Sequence, residues 1–138
     1  MTWIILQLIV DFGLIVLIWM VQLLIYPSFK YLNKEALFSW HNRYTMRIAF
    51  VVIPLMFSQL ALTLFSCFKN TTLLSCLHLI LVLLAWVTTF GIFVPIHKKL
   101  SNNNSNPQLL QKLVNYNWLR VIIWNAVFAV LVIQINNY

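Results

Sequence analysis

The stretch LLSCLHLILVLLAWVTTFGIFV, residues 73–94, contains no Asp, Glu, Lys or Arg. At 1.5 Å per helical residue it is about 33 Å long, enough to cross the hydrocarbon core of a bilayer. Three more apolar runs of similar kind lie at residues 3–25, 48–65 and 119–135. Only 8% of the 138 residues are charged, against about 25% in a typical soluble domain. The sequence therefore predicts one all-α membrane domain over residues 1–138.

The connections between these four spans predict how the helices are arranged. Residues 66–72 leave room only for a tight hairpin, so spans two and three are expected to be antiparallel neighbours. The first connection carries an apolar stripe at every fourth residue, at Leu32, Ala36, Trp40 and Tyr44. Such a stripe is typical of an amphipathic helix in the membrane interface. We expect an antiparallel four-transmembrane-helix bundle with an interfacial helix between spans one and two.

Lys and Arg are distributed unevenly between the two ends of this bundle. Eight of the nine lie in or beside the first and third connections, whereas the hairpin holds only Lys69. Cytoplasmic loops carry an excess of Lys and Arg, which predicts that both termini and the hairpin lie outside the cytoplasm. The bases flank membrane spans and do not line a soluble groove. The net charge of +7 therefore indicates contact with the lipid bilayer, and nucleic acid is not expected as a partner.

Polar and aromatic residues gather at the ends of the spans that are predicted to be cytoplasmic. His41 and His97 are candidate acid–base catalysts, because each lies beside basic residues at a span end. Further residues would hold the headgroup and the flat part of an amphipathic ligand. These candidate ligand-binding residues are Trp40, Arg43, Tyr44, Arg47, Asn117, Trp118 and Arg120. The alternative is that the aromatic residues form an interfacial belt while the arginines extend to lipid phosphates.

The sequence predicts no metal site, and no cofactor can be identified from it. Two histidines fall short of the three or four protein ligands of a zinc site, unless a homo-oligomer adds ligands to His41 and His97. Phosphate-binding loops, dinucleotide fingerprints and nucleophile elbows do not occur in the sequence. Cys67 and Cys76 flank the hairpin on the side predicted to be oxidising, so free thiols and a disulfide both remain open.

A second polar set is predicted inside the membrane. Asp11, Gln59 and His78 lie in three different spans, and counting from the span ends places each of them about 8–12 Å below the outer surface. A carboxylate at that depth costs about 2.5–3.5 kcal/mol on insertion scales, so Asp11 should face the bundle and find a partner. The set is either a proton relay or a hydrogen-bonded clamp between helices.

Several short motifs carry a resemblance to a known family. They are YPSF at residues 26–29, Trp40-His41 with Tyr44-Thr45 and Arg47-Ile48, VPIHKKL at residues 94–100, and NWLR at residues 117–120. In these motifs the chain resembles an uncharacterised family of small bacterial four-span membrane proteins, which implies the bacterial inner membrane. It departs from that pattern at Gln59 and Asn125, where the family is expected to carry Glu and Arg.

The chain also looks, more distantly, like the anthrone-oxygenase-like family. That likeness implies oxidation of an aromatic or quinol-type substrate without an obvious metal. Three functions stay open: binding or oxidising an amphipathic quinone-like or anionic molecule at the cytoplasmic face, proton-coupled transport that uses Asp11, and a structural or assembly role with a partner. The sequence does not decide whether the protein is an enzyme.

Overall fold

The computed structural model describes residues 2–102 and 106–136, and in these ranges it contains helices and short connections only. Four helices are long and apolar enough to cross a membrane. They are α1 (Trp3–Tyr31), α2 (Lys34–Lys69), α3 (Leu73–Ser101) and α4 (Pro107–Asn136). The predicted all-α four-helix bundle is confirmed, and the protein is a multi-pass membrane protein whose apolar outer surface contacts lipid.

The helices extend beyond the predicted spans at one end of the bundle. This basic end is formed by the α1–α2 connection, the last turns of α3 and the first turns of α4. The segment predicted as a separate interfacial helix is helical, but it is the first part of α2. Asn33 caps α2 by accepting a hydrogen bond from the Ala36 amide at 2.8 Å, and neither Gly nor Pro follows before Pro54. Nothing in the sequence therefore ends this helix before it enters the membrane.

The opposite end, called the hairpin end, is closed by a short turn. α2 ends at Lys69 and α3 begins at Leu73, so the chain reverses within residues 70–72. Thr72 and Ser75 form a capping box, in which each side chain bonds the backbone of the other residue. The predicted tight hairpin between spans two and three is thus present, and it makes α2 and α3 antiparallel.

Two helices contain a π-helical turn near the basic end. In α1 this turn covers Val21–Ile25, and in α3 it covers Thr89–Phe93. Pro27 and Pro95 follow shortly after these turns. A proline ring clashes with the carbonyl group four residues earlier, and widening the turn relieves this clash. Each π turn changes the face on which all later residues of its helix lie.

The helix α4 lies at the centre of the bundle. In its most apolar window 44% of the residues are buried, compared with 17% in α2. Trp124 of α4 packs in a central cluster with Leu14, Val82 and Met56, one from each of the other helices. Residues projecting from α4, such as Arg120 and Trp124, can therefore contact α1, α2 and α3.

Candidate ligand-binding site

A chain of hydrogen bonds joins α1, α2 and α3 at the basic end. The hydroxyl group of Tyr26 lies 3.0 Å from Nε2 of His97. Nδ1 of His97 lies 2.9 Å from Nε2 of His41, and the two imidazole rings stack with centroids 5.1 Å apart. Nδ1 of His41 lies 3.4 Å from the hydroxyl oxygen of Ser101. The two histidines predicted as acid–base candidates are therefore direct hydrogen-bond partners.

Arg120 of α4 lies next to this chain and is buried, with 7% of its surface exposed. Its guanidinium carbon is 4.4 Å from the ring centroid of Phe93 and 4.8 Å from that of Trp124. These contacts are cation–π interactions, worth about 2 kcal/mol or more where water is excluded. The guanidinium also faces the Tyr26 and Tyr44 hydroxyl groups.

Within residues 2–102 and 106–136, no carboxylate forms an ion pair with Arg120. The ion pair in that part of the chain joins His78 of α3 to Asp11 of α1. Both residues lie nearer the hairpin end than Arg120 does. The Nε atom of Arg120 is buried and has no hydrogen-bond partner among the residues that the structure describes. A buried charge is costly unless it is paired, and here aromatic faces and hydroxyl groups take the place of a carboxylate.

A cavity of about 480 Å³ lies against Arg120, between α2 and α3. Its volume is in the range of pockets that bind drug-sized molecules. One end is polar, with Tyr26, His97 and Arg120 in its wall, while Val52 and Met56 line the other end. The side between the two helices is bordered by apolar residues that are about half exposed, namely Ile53, Phe90 and Val94. The cavity therefore opens sideways toward the lipid.

The π turn of α3 builds one wall of this cavity. Thr89, Phe90 and Phe93 all line it, and they lie within or at the ends of the turn Thr89–Phe93. Single π turns inside α-helices are frequent at functional sites. Phe93, which supports Arg120, and His97 are four residues apart and share one side of α3, and the π turn shifts both of them relative to the residues before Thr89.

The structure brings together some of the residues predicted from the sequence. His41, His97, Tyr44 and Arg120 meet at the basic end, and the last three line the cavity. Asn117 is buried one turn from Arg120, but its side-chain amide donates to Gln22 of α1 at 2.8 Å. It therefore contributes to helix packing.

The remaining predicted ligand-binding residues lie outside the cavity. Arg43 and Arg47 are exposed on a different face of α2. Trp40 is 45% exposed, and Trp118 is 44% exposed and packs edge-on against Trp19. This placement fits the alternative considered for them, an interfacial belt with arginines directed outward.

Three residues of the site were not predicted. Tyr26 and Phe93 lie beside or within π turns, so ordinary helical spacing does not show which way they face. Ser101 is the last residue of α3 and directly precedes a run of asparagines, which by composition is typical of a loop. Proline two residues after Ile25 and after Phe93 is the one signal in the sequence that could have suggested a disturbed turn at these places.

The intramembrane set forms a second, fully buried network nearer the hairpin end. The side-chain amide of Gln59 donates to Oδ1 of Asp11 at 2.8 Å, and Oδ2 of Asp11 lies 3.3 Å from Nε2 of His78. Gln7 completes it, because its amide nitrogen lies 2.9 Å from the Thr63 hydroxyl and 3.3 Å from Nδ1 of His78. Asp11, Gln59 and His78, predicted to lie at one level of three different spans, are therefore in contact with one another.

Two further expectations concern cysteines and metals. Cys67 and Cys76 are free thiols near the hairpin end of α2 and α3. In the part of the chain that the structure describes, no three of His, Cys, Asp and Glu are grouped as metal ligands would be. The nitrogens of His41 and His97 are instead used by each other and by hydroxyl groups.

Comparison with protein-family models, with curated proteins and with solved structures gave no match for this chain. The function is therefore argued from the geometry of the site alone.

Proposed function

We propose that the protein binds an amphipathic small molecule in the cavity between α2 and α3. The headgroup would be anionic or carbonyl-bearing, as in an organic acid or a quinone, and would lie at Arg120. The observation that carries this proposal is the buried Arg120 guanidinium, which faces the cavity without a carboxylate partner. An anionic or carbonyl oxygen in the cavity would accept a hydrogen bond from the guanidinium, whose Nε has no acceptor among the described residues.

The rest of the cavity supports a hydrophobic tail on this ligand. The wall residues from Tyr44 to Met56 of α2 extend over about 18 Å of helix, and most of them are apolar. The exposed apolar border toward lipid suits a molecule that is already dissolved in the membrane. Tyr26 and His97 would contact the headgroup beside Arg120 and act as hydrogen-bond partners, with His41 behind them.

In this proposal the network around Asp11 is a structural clamp. Gln59, His78 and Gln7 each bond a residue of another helix, and all four side chains are 1% exposed or less. Such interhelical hydrogen bonds contribute about 0.6–2 kcal/mol each within membranes. Proton-coupled transport through Asp11 is the competing hypothesis, and it predicts that flux depends on this carboxylate.

The proposal also includes a cellular location. Eight of nine basic residues lie at the basic end of the bundle, and this asymmetry supports a cytoplasmic position for that end. The ligand site would then lie in the cytoplasmic half of the bacterial inner membrane, with both termini on the other side. The small-molecule site does not require a partner protein, although a homo-oligomer is compatible with the exposed apolar helices.

The test compares the small molecules that copurify with two variants. Arg120→Met removes the charge from the cavity, and Arg43→Met removes a charge from the exposed face of the neighbouring helix. Mass spectrometry of the extracted protein should find an amphipathic acid or carbonyl compound with the parent and with Arg43→Met. The Arg120→Met protein should carry about tenfold less of it, the effect expected from losing about 1.4 kcal/mol of binding free energy. Equal amounts with all three proteins would rule the proposal out.

A further inference from the structure

Tyr26, His97, His41 and Ser101 have a chemical property in common. Each side chain can both donate and accept a hydrogen bond, as a hydroxyl group or as a neutral imidazole. They are linked in that order by distances of 3.0, 2.9 and 3.4 Å. A chain of such groups can pass a proton from one end to the other, because every member can receive one proton and release another.

Arg120 determines the direction of this chain. A guanidinium donates hydrogen bonds and cannot accept them, so the Tyr26 hydroxyl group beside it must direct its own hydrogen elsewhere. The neighbouring acceptor is Nε2 of His97. With Nε2 accepting, His97 carries its proton on Nδ1 and donates to Nε2 of His41. His41 in turn carries its proton on Nδ1 and donates to Ser101.

The two ends of the chain lie in different surroundings. Both line the cavity, but Tyr26 is 2% exposed beside Arg120, whereas Ser101 is partly exposed at the basic end of α3. In the other direction the chain stops at Arg120 and Trp124. An indole N–H donates but does not accept, so neither side chain can pass a proton on to Gln59 and Asp11. The chain therefore connects the buried Arg120 side of the cavity with its partly exposed rim at the basic end.

We infer that this chain is a proton relay for the ligand headgroup, and that the ligand is a membrane-soluble organic acid. The inference rests on the proposed function and narrows its ligand class. The uncharged acid, R–COOH, would move sideways from the lipid past Ile53, Phe90 and Val94. It would arrive with its acid group beside Tyr26 and Arg120, where the carboxylate form gains a charge partner that the uncharged form lacks.

The transfer is balanced in protons at each member of the chain. The acid O–H bond breaks and its proton goes to Tyr26, whose own proton passes to Nε2 of His97. The Nδ1 proton of His97 passes to Nε2 of His41, and the Nδ1 proton of His41 passes to Ser101, which releases one to water. The products are a carboxylate held by Arg120 and one proton at the basic-end surface. Tyr44 and Lys98 are the other ionisable side chains that line the cavity.

The test measures binding and proton release separately. The purified full chain is mixed rapidly with dodecanoic acid in weak buffer at about pH 5, where part of a carboxylic acid is still uncharged. Tryptophan fluorescence reports binding, and a pH indicator dye reports released protons. Dodecanol has the same chain without an acid proton, and a short-chain quinone offers carbonyl groups without one. With the parent protein, dodecanoic acid should release protons at the same rate as it binds, and dodecanol and the quinone should release none.

Two variants break the relay at different members. His97→Phe keeps an aromatic ring beside Tyr26, and His41→Gln keeps a hydrogen-bonding group, but neither replacement passes protons as imidazole does. In each variant binding should keep its rate while proton release becomes slower by about tenfold or more, since positioned proton-transfer groups contribute about 10²–10⁴-fold. Lys99→Gln, which changes an exposed neighbour of the relay, should leave both rates as they are.

The outcomes distinguish the relay from the site itself. If dodecanoic acid binds and both variants release protons as fast as they bind it, the relay is overturned while the binding site stands. If the quinone binds and the acid does not, the ligand class is wrong. If neither binds to folded protein, the proposed function fails together with the relay. A variant counts as folded if its elution volume and its thermal unfolding are those of the parent. One folded variant is sufficient for the test.

Discussion

The indole ring of Trp124 lies 4.8 Å from the guanidinium carbon of Arg120, one helical turn away on α4. The same indole directs its N–H toward Oε1 of Gln59 at 3.4 Å, and Gln59 bonds Asp11. One buried side chain thus separates the cavity at the basic end from the clamp at the hairpin end. Its face stabilises a cation and its edge bonds an amide, but it cannot carry a proton between them.

Arg120→Met should stabilise the ligand-free protein. The substitution removes a buried charge that lacks an anionic partner and leaves an unbranched apolar chain of similar length in its place. Replacing buried ionic groups by apolar ones is often neutral or stabilising by about 1–4 kcal/mol. Part of this gain is offset by the loss of the contacts with Phe93 and Trp124.

Thermal unfolding of ligand-free protein in detergent checks this prediction. The midpoint of Arg120→Met should equal or exceed that of the parent, and Arg43→Met on the exposed face should not differ from the parent. A clearly lower midpoint for Arg120→Met would show that this arginine holds the bundle together, and that its burial does not indicate a ligand.

Trp124→Phe should destabilise the bundle more than Trp86→Phe does. Both substitutions reduce an indole to a phenyl ring, but Trp124 is 1% exposed and Trp86 is only partly buried, so Trp124→Phe loses more packing. Trp124 also gives up its bond to Gln59 and leaves Oε1 of that side chain unpaired. By contrast, the buried Nε1 of Trp86 has no partner to lose among residues 2–102 and 106–136.

The expected difference between these two variants is at least about 0.5–1.5 kcal/mol, the usual net contribution of one hydrogen bond, because the packing loss at Trp124 adds to it. Unfolding by increasing denaturant in mixed micelles measures it, because both variants share the same reference state. Equal losses would mean that the 3.4 Å contact between Trp124 and Gln59 contributes no stability.

The fold could be predicted from the sequence because the bilayer restricts the choice. Apolar runs of this length must be helices, since backbone groups in hydrocarbon have to be satisfied within the segment. The depth of Asp11, Gln59 and His78 followed from counting residues along helices of alternating direction. The start of α2 and the end of α3 were harder to predict. A helix that leaves the membrane changes its composition from apolar to polar but keeps its backbone hydrogen bonds.

The candidate site could be predicted only in part. On α2, His41, Tyr44 and Ile48 recur at helical spacing and face inward, whereas Arg43 and Arg47 recur four apart on another face. This period is visible in the sequence, but the charge of the two arginines, taken alone, favours them as ligand-binding residues. Tyr26 could not be predicted for a different reason. The π turn before it changes the side of α1 on which Tyr26 lies, and the extra residue of a π turn has no reliable sequence signature.

Asp11 and Gln59 should be energetically coupled if they form a clamp. Removing either side chain leaves the other one buried without its partner, so the two losses should not add. A double-mutant cycle with Asp11→Ala and Gln59→Ala should give a coupling free energy of about 0.6–2 kcal/mol. The free energy of unfolding in micelles is the measured quantity.

Gln134 provides the matched control for this cycle. It is also a buried glutamine, with 5% of its surface exposed, and its amide bonds Ser66 on α2 at 3.4 Å. The losses from Asp11→Ala and Gln134→Ala should therefore add to within about 0.5 kcal/mol. If Asp11 and Gln59 were just as additive, their contact would not be a clamp, and the transport hypothesis for Asp11 would gain ground.

Lys69 and Lys99 should lie on opposite sides of the membrane. Both side chains are exposed, Lys69 at the hairpin end and Lys99 at the basic end. The excess of Lys and Arg at the basic end favours the cytoplasm for it, so a label that cannot cross membranes should reach only position 69 in intact cells. Lys69→Cys and Lys99→Cys, each with Cys67→Ser and Cys76→Ser, test this by labelling with a charged maleimide. Permeabilised cells, where both positions should react, are the control. Labelling of position 99 alone in intact cells would invert the topology and place the ligand cavity in the outer half of the membrane.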